Sequence, residues 1–114
     1  MKRIRVLIAD DHTIVRIGLK ALFAGEADLE VVGEARNGVE AVKTALETHP
    51  DVVIMDLQMP KKDGVEATRE LAEKLPSAAV AILTTYGTSD GIAHALQAGA
   101  RGAMLKTADD ARLV

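Results

Sequence analysis

The sequence contains no cysteine and no tryptophan, and only one phenylalanine, one tyrosine and three prolines in 114 residues. Without cysteine there are no disulfides, no thiolate metal sites and no thiol catalysis, which is compatible with a reducing cytoplasm. With Phe23 and Tyr86 as the only rings, the core must be aliphatic and alanine-based, and a base-stacking platform is excluded. Long hydrophobic runs are also missing. Met1-Lys2-Arg3 is basic, but the apolar run Val6-Leu7-Ile8-Ala9 stops at Asp10-Asp11, short of a signal-peptide core or a spanning helix. The expectation is a soluble, cytoplasmic protein with no membrane association. Charge of one sign does not dominate: the net charge is −3 with 27% charged residues, so direct binding to nucleic acid has no electrostatic basis. A DNA-binding role would need another domain.

What is present is a repeating alternation. Short β-branched or aliphatic runs occur at Val6–Ala9, Val31–Val32, Val52–Met55, Val80–Leu83 and Ala103–Leu105. Between them lie segments of helical spacing: Val15/Leu19/Leu22, Val39/Val42/Leu46, a less regular stretch from Gly64 to Lys74 with Val65, Leu71, Ala72 and Leu75, and Ile92/Ala95/Leu96. Strand–helix alternation predicts an α/β fold with a parallel sheet, here one domain over residues 1–114. The runs at 52–55 and 80–83 are apolar throughout and read as central strands, whereas Glu30-Val31-Val32-Gly33-Glu34 is short and charge-flanked and reads as an edge. The order is then 2-1-3-4-5, a flavodoxin-like doubly wound sheet, whose ligands sit at the carboxyl ends of the strands. Asn37-Gly38, Pro50-Asp51, Pro60 with Asp63-Gly64, Pro76-Ser77 and a helix-terminal Gly99 supply the breaks.

The residues that follow strands 1, 3, 4 and 5 are Asp10-Asp11, Asp56, Thr84 and Lys106. Each has an ordinary reading as a helix cap, a turn residue or a solvated charge. Together they fall on one edge of the sheet, where converging carboxylates repel one another unless a cation or Lys106 neutralises them. Oxygen ligands without His or Cys partners favour Mg²⁺. A carboxylate such as Asp56 can act as nucleophile on phosphorus, and Thr84 could hydrogen-bond the new phosphoryl group. His12, His49 and His94 are dispersed on a loop, a helix end and a helix face, and read as surface residues. Met55 and Met104 read as core.

Asp10-Asp11, the stretch Asp56-Leu57-Gln58-Met59-Pro60-Lys61-Lys62-Asp63-Gly64, Ile82-Leu83-Thr84-Thr85-Tyr86, and Ala98-Gly99-Ala100-Arg101-Gly102 leading to Lys106 resemble the receiver domains of two-component response regulators. The resemblance spans nearly the whole chain. Asp10-Asp11-His12 and Ala98-Gly99-Ala100-Arg101-Gly102 look most like the subclass with a LuxR-type helix-turn-helix output domain. The resemblance implies a phosphorylation switch, not an enzyme with an external substrate. Asp56 would accept a phosphoryl group from a sensor histidine kinase, Asp11, Asp56 and the Gln58 carbonyl would ligate Mg²⁺, and Asp10 would act through water. Lys106 would pair with the phosphoryl oxygens or Asp56, and Thr84 would be the switch hydroxyl. It further implies a C-terminal DNA-binding output domain beyond these 114 residues, transcriptional regulation, and an optional homodimer.

Two positions depart from the family pattern. Ala103 stands where members commonly carry Tyr or Phe, so no inward-turning ring would couple to Thr84. Thr107 stands where Pro often follows the lysine, and a cis non-proline bond costs about 3 kcal/mol, so a trans bond is expected there. A fifth helix should begin near Asp109 and is largely missing from this chain. Two competing readings remain open. A haloacid-dehalogenase-type phosphatase would need a general acid two residues after the nucleophile, where Gln58 cannot protonate a leaving group. A degenerate receiver would act as a phosphate-independent interaction module. A dinucleotide-binding enzyme is poorer, because no Gly-x-Gly-x-x-Gly follows the first strand.

Overall fold

The five apolar runs become strands because β-branched and aliphatic side chains suit a pleated surface buried on one or both faces. A computed structural model describes residues 3–57, 59, 61–84 and 89–105, with backbone alone at 84, 89–92 and 103–105. The elements are β1 (Ile4–Ala9), α1 (Thr13–Ala24), β2 (Leu29–Ala35), α2 (Gly38–Thr48), β3 (Val52–Met55), α3 (Gly64–Lys74), β4 (Ala79–Thr84), α4 (Ser89–Ala98) and β5 (Gly102–Leu105). All strand pairs are parallel, in the order β2-β1-β3-β4-β5. The doubly wound α/β sheet expected from the alternation is the one found. The expected fifth helix and the Lys106–Thr107 bond fall outside the described residues.

Helices cover both faces. Leu7, Ala9, Val53, Met55, Val80 and Ile82 join Ala41, Ala45, Leu71 and Ala95 in the larger buried cluster. Val6, Ile8 and Leu83 pack with Leu19 of α1 on the other face, flanked by Val15, Phe23, Val31 and Ile54. Small residues carry several helix–sheet contacts. On α2 the buried positions are Gly38, Ala41, Val42 and Ala45, while Val39 and Leu46 of the expected stripe are exposed. On α3, Ala67, Thr68 and Leu71 are buried and Ala72 is not. On α4 Ala95 is buried and Leu96 exposed. A stripe of alanines lets a helix lie closer to the sheet than one of leucines, so the apolar face turns toward the smaller side chains.

The edge strand β2 is longer than the dipeptide run 31–32 indicated, and it is bulged. Val6 pairs with Val31 but Leu7 pairs with Gly33, leaving Val32 as the extra residue. Leu29 and Val31 therefore face α1, whereas Gly33 and Ala35 face α2. Gly33 is required small: a Cβ there would stand 2.9 Å from the Thr44 methyl group of α2. The same reversal of alternation directs Glu34 toward Arg16 and Lys20 of α1.

Helix ends are fixed locally. Asn37 and Asp63 cap α2 and α3 by accepting from the amides of Glu40 and Glu66, each at 2.9 Å. After α4, Gly99 adopts φ 124° and the Ala100 amide donates to the Ala95 carbonyl at 3.0 Å, a Schellman closure.

Candidate functional site

Backbone pairing continues one residue past the strands and fixes where the acidic side chains emerge. The Asp10 amide donates to the Ala35 carbonyl and the Asp56 amide to the Ala9 carbonyl, each at 2.9 Å. Ala9 pairs with Met55, so Asp10 and Asp56 leave adjacent strands side by side. Both are buried, at 2% and 3% exposure, while the Asp11 side chain is 33% exposed. Carboxylate oxygens of Asp10, Asp11 and Asp56 and a ring nitrogen of His12 all lie within 4.8 Å of one another. Expected from residue order alone, the convergence of the three carboxylates is a feature of the folded chain.

His12 is the member that sequence reading set aside as a surface residue. Its side chain is 60% exposed, yet Nδ1 stands 3.0 Å from Asp10 Oδ1 and 3.1 Å from Asp11 Oδ1. Its amide also donates to Asp10 Oδ1 at 2.8 Å, so the Asp10 carboxylate closes the turn into α1. His12 is the N-cap residue of α1 and makes no side-chain cap bond of its own.

The loop after Asp56 is held against two helix starts. A Cβ on Gly64 would lie 2.1 Å from the Asp56 carbonyl oxygen, and the Gly64 amide donates to the Leu57 carbonyl at 2.8 Å. The Gly38 amide donates to the Lys62 carbonyl at 2.8 Å, and a Cβ on Gly38 would stand 2.0 Å from that oxygen. Lys61 between them takes φ 69°, left-handed backbone for a non-glycine residue. Side-chain bonds from Lys62 and Lys74 hold the Glu70 carboxyl below its usual pKa.

Arg16 is a second residue the sequence reading passed over. Its side chain is 10% exposed, with Nη1 donating to the Asp10 carbonyl at 2.7 Å, Nη2 to Thr13 Oγ1 at 3.2 Å and Nε to Glu34 Oε1 at 3.2 Å. Lys20 donates to the other Glu34 oxygen at 2.9 Å. That bond, helped by Arg16, lowers the Glu34 pKa against the opposing effect of burial. Arg16 falls three residues before Leu19, on the buried side of α1, a position that could have marked it as inward-facing.

Residues 6–114 match the family described as the response regulator receiver domain. The chain is a response regulator receiver domain. Among its relatives, the Bacillus subtilis transcriptional regulatory protein YhcZ, itself uncharacterized, is 44% identical over 96% of this chain and 51% of its own length. The B. subtilis transcriptional regulatory protein LiaR is 42% identical over 96% of this chain and 52% of its own. This receiver thus spans about half the length of these relatives. A LuxR-family two-component response regulator from Aurantimonas superposes with TM-score 0.91 at 38% identity, covering 98% of this chain and 80% of that one. The CheX–CheY–BeF₃–Mg²⁺ complex from Borrelia burgdorferi superposes with TM-score 0.90 at 27% identity, covering 98% and 84%. The receiver is homologous to two-component response regulators that are transcription regulators.

In this receiver Asp10, Asp11 and Asp56 come together, and Thr84 ends β4 on the same edge of the sheet. Thr84 pairs with Leu105, the last residue of β5. Gln58 and Lys106, expected at the site, lie outside the described residues, as does the side chain of Thr84. Asp63 of the Asp-Gly pair serves as a helix cap. Among the described residues no helix is long and apolar enough to cross a membrane.

Proposed function

We propose that Asp56 is the phosphoacceptor of this receiver and that Asp10 and Asp11 complete a Mg²⁺ site beside it. The observation that carries the reading is the convergence of three carboxylates within 4.8 Å, two of them buried, at the carboxyl edge of a doubly wound sheet. The three carboxylates fit Mg²⁺, with the Gln58 carbonyl as a further ligand by resemblance, while His12 stands beside them as a neighbour of Asp10 and Asp11. When bound, Mg²⁺ supplies positive charge that offsets the carboxylates and the incoming phosphoryl oxygens. Asp56 supplies the nucleophilic oxygen. A new bond forms from that oxygen to phosphorus as the bond to the donor breaks, and the electron pair leaves with acetate or with the imidazole of a kinase phosphohistidine. Thr84 and Lys106 then read the phosphoryl group, and the change at the β4 edge biases α4 between two arrangements.

On this reading the domain catalyses only its own phosphorylation and dephosphorylation and turns over no external substrate. Its donor is a sensor histidine kinase in the cytoplasm. The whole protein is a transcription regulator in which a DNA-binding helix-turn-helix domain follows the receiver, and phosphorylation controls homodimerisation or release of that domain. Relatives about twice as long that carry the name transcriptional regulatory protein support this half. Incubation with acetyl phosphate tests the site: the expected result is a hydroxylamine-sensitive label that needs Mg²⁺ and is absent from Asp56→Asn. Undiminished label in Asp56→Asn would overturn the assignment.

A further inference from the structure

We propose that Arg16 is a positioning residue for the acidic pair, holding the Asp10–Asp11 peptide in the orientation from which both carboxylates meet Asp56. The proposal rests on the reading of Asp10 and Asp11 as cation ligands. A guanidinium is rarely buried without satisfied donors, because an unpaired internal charge is costly. Arg16 directs its planar fork to three separate parts of the chain: the carbonyl of Asp10, the hydroxyl of Thr13 in the first turn of α1, and Glu34 on β2. The Asp10 carbonyl belongs to the peptide joining Asp10 to Asp11, so a bond to it sets the plane of the unit that carries both ligands. The Asp10 amide and carboxylate have fixtures of their own in the Ala35 carbonyl and the His12 amide, and the guanidinium is the one that holds the carbonyl side of the Asp10–Asp11 peptide. Glu34, itself bonded to Lys20, holds the guanidinium from behind.

Because these three bonds of Arg16 run to a backbone carbonyl, a hydroxyl and Glu34, they orient the pair through its backbone. Its charge and its geometry have opposite consequences for cation binding. As a neighbouring positive charge it disfavours a divalent cation; as a fixture it prepays the ordering of the ligands. Arg16→Lys separates them, because lysine keeps the charge and loses the fork.

Calorimetric titration with MgCl₂ on the parent, Arg16→Lys, Arg16→Met and Glu34→Gln tests the proposal, with melting temperatures taken without Mg²⁺ and acetyl-phosphate labelling run at saturating Mg²⁺. The expected result is a Mg²⁺ Kd raised about tenfold in Arg16→Lys, the effect typical of residues that orient metal ligands. Glu34→Gln should shift it less in the same direction, and labelling should recover at saturating Mg²⁺. A folded Arg16→Lys with the parental Kd overturns the proposal, even if its melting temperature falls, since that is what a purely structural anchor would do. Tighter Mg²⁺ binding by Arg16→Met would also overturn it, showing that charge outweighs geometry. If Arg16→Lys does not fold, Glu34→Gln decides, and a parental Kd there counts against it. A parent that binds no Mg²⁺ fails differently, sinking the reading of the acidic pair itself.

Discussion

The two ends of the sheet treat charge in opposite ways. At the amino edge a cation caps a helix end: the Arg5 amide donates to Asp51 Oδ2 at 2.9 Å, and its guanidinium donates to the carbonyls of Thr48 and His49 at the end of α2. Those carbonyls are the unsatisfied acceptors that every helix leaves at its C-terminus. At the carboxyl edge three carboxylates gather, with Asp10 and Asp56 buried beside Asp11 and the His12 ring against them. The backbone differs in the matching sense, with the starts of α2 and α3 at the carboxyl edge and the end of α2 at the amino edge. One edge ties Arg5 to the end of α2, and the other brings together the three carboxylates on which the proposed Mg²⁺ site rests.

This contrast can be broken most sharply by Asp56→Asn set against Arg5→Met. The first should eliminate phosphorylation, read as hydroxylamine-sensitive label, and leave folding intact; the second should keep the label and lower stability by roughly 1–3 kcal/mol through the orphaned helix carbonyls, read by urea melts. If Arg5→Met also lost the label, the two edges would not be functionally separate.

A smaller pair of effects concerns glycines near to and far from the acidic edge. Gly64→Ala forces a Cβ to within 2.1 Å of the Asp56 carbonyl, so we expect a loss of about 1–3 kcal/mol and slower labelling as the backbone of Asp56 shifts. Gly18→Ala in α1 meets nothing within 4 Å and should stabilise by about 0.5–1 kcal/mol with labelling unchanged. Equal labelling by both variants would remove Gly64 from the site.

Asp11→Asn sharpens the contrast further. Its Mg²⁺ affinity should fall in calorimetry, while its Mg²⁺-free melting midpoint should stay within about 1 kcal/mol of the parent, because one of three like charges is removed from a partly exposed position. A large drop in stability would mean that the acidic edge, too, holds the fold together.

The smallest effect is in acid. Lys20 beside Glu34 and Lys62 beside Glu70 hold both carboxyls below their usual pKa of 4.5. The folded state thus releases these protons more readily than the unfolded chain, so their stabilisation is complete above about pH 4.5 and fades as pH falls through the lowered values. Glu34→Gln and Glu70→Gln should each flatten the acid side of the melting-temperature profile slightly. An unchanged profile in both would show the pairs to be too solvated to matter.

The strands and their order were legible because β-branched runs such as Val52–Met55 announce buried parallel strands, and the acidic cluster followed from which residues come next. Helix faces were read less well. Val39 and Leu46 look like the core side of α2 by size, yet Ala41 and Ala45 lie against the sheet, because close helix–sheet approach selects small residues that a count of large apolar side chains underweights. His12 and Arg16 were missed for a different reason. Both look solvated in one dimension, and their partners come from the fold: the turn into α1 brings residue 12 back over Asp10 and the Asp10 carbonyl to Arg16, and the bulge turns Glu34 toward α1.

That bulge makes β2 more tolerant in length than in composition. Deleting Val32 would remove the extra residue and leave Gly33, Glu34 and Ala35 paired with Leu7, Ile8 and Ala9 on the faces they now occupy. The neighbouring strand has no such slack: losing Leu7 from β1 would slide Ile8, Ala9 and Asp10 one place along β3 and turn each to the opposite face. A missing codon at the bulge would thus be a lighter lesion than one in β1, and length changes among natural variants of this domain should fall at residues 31–33 before they fall at residues 6–9.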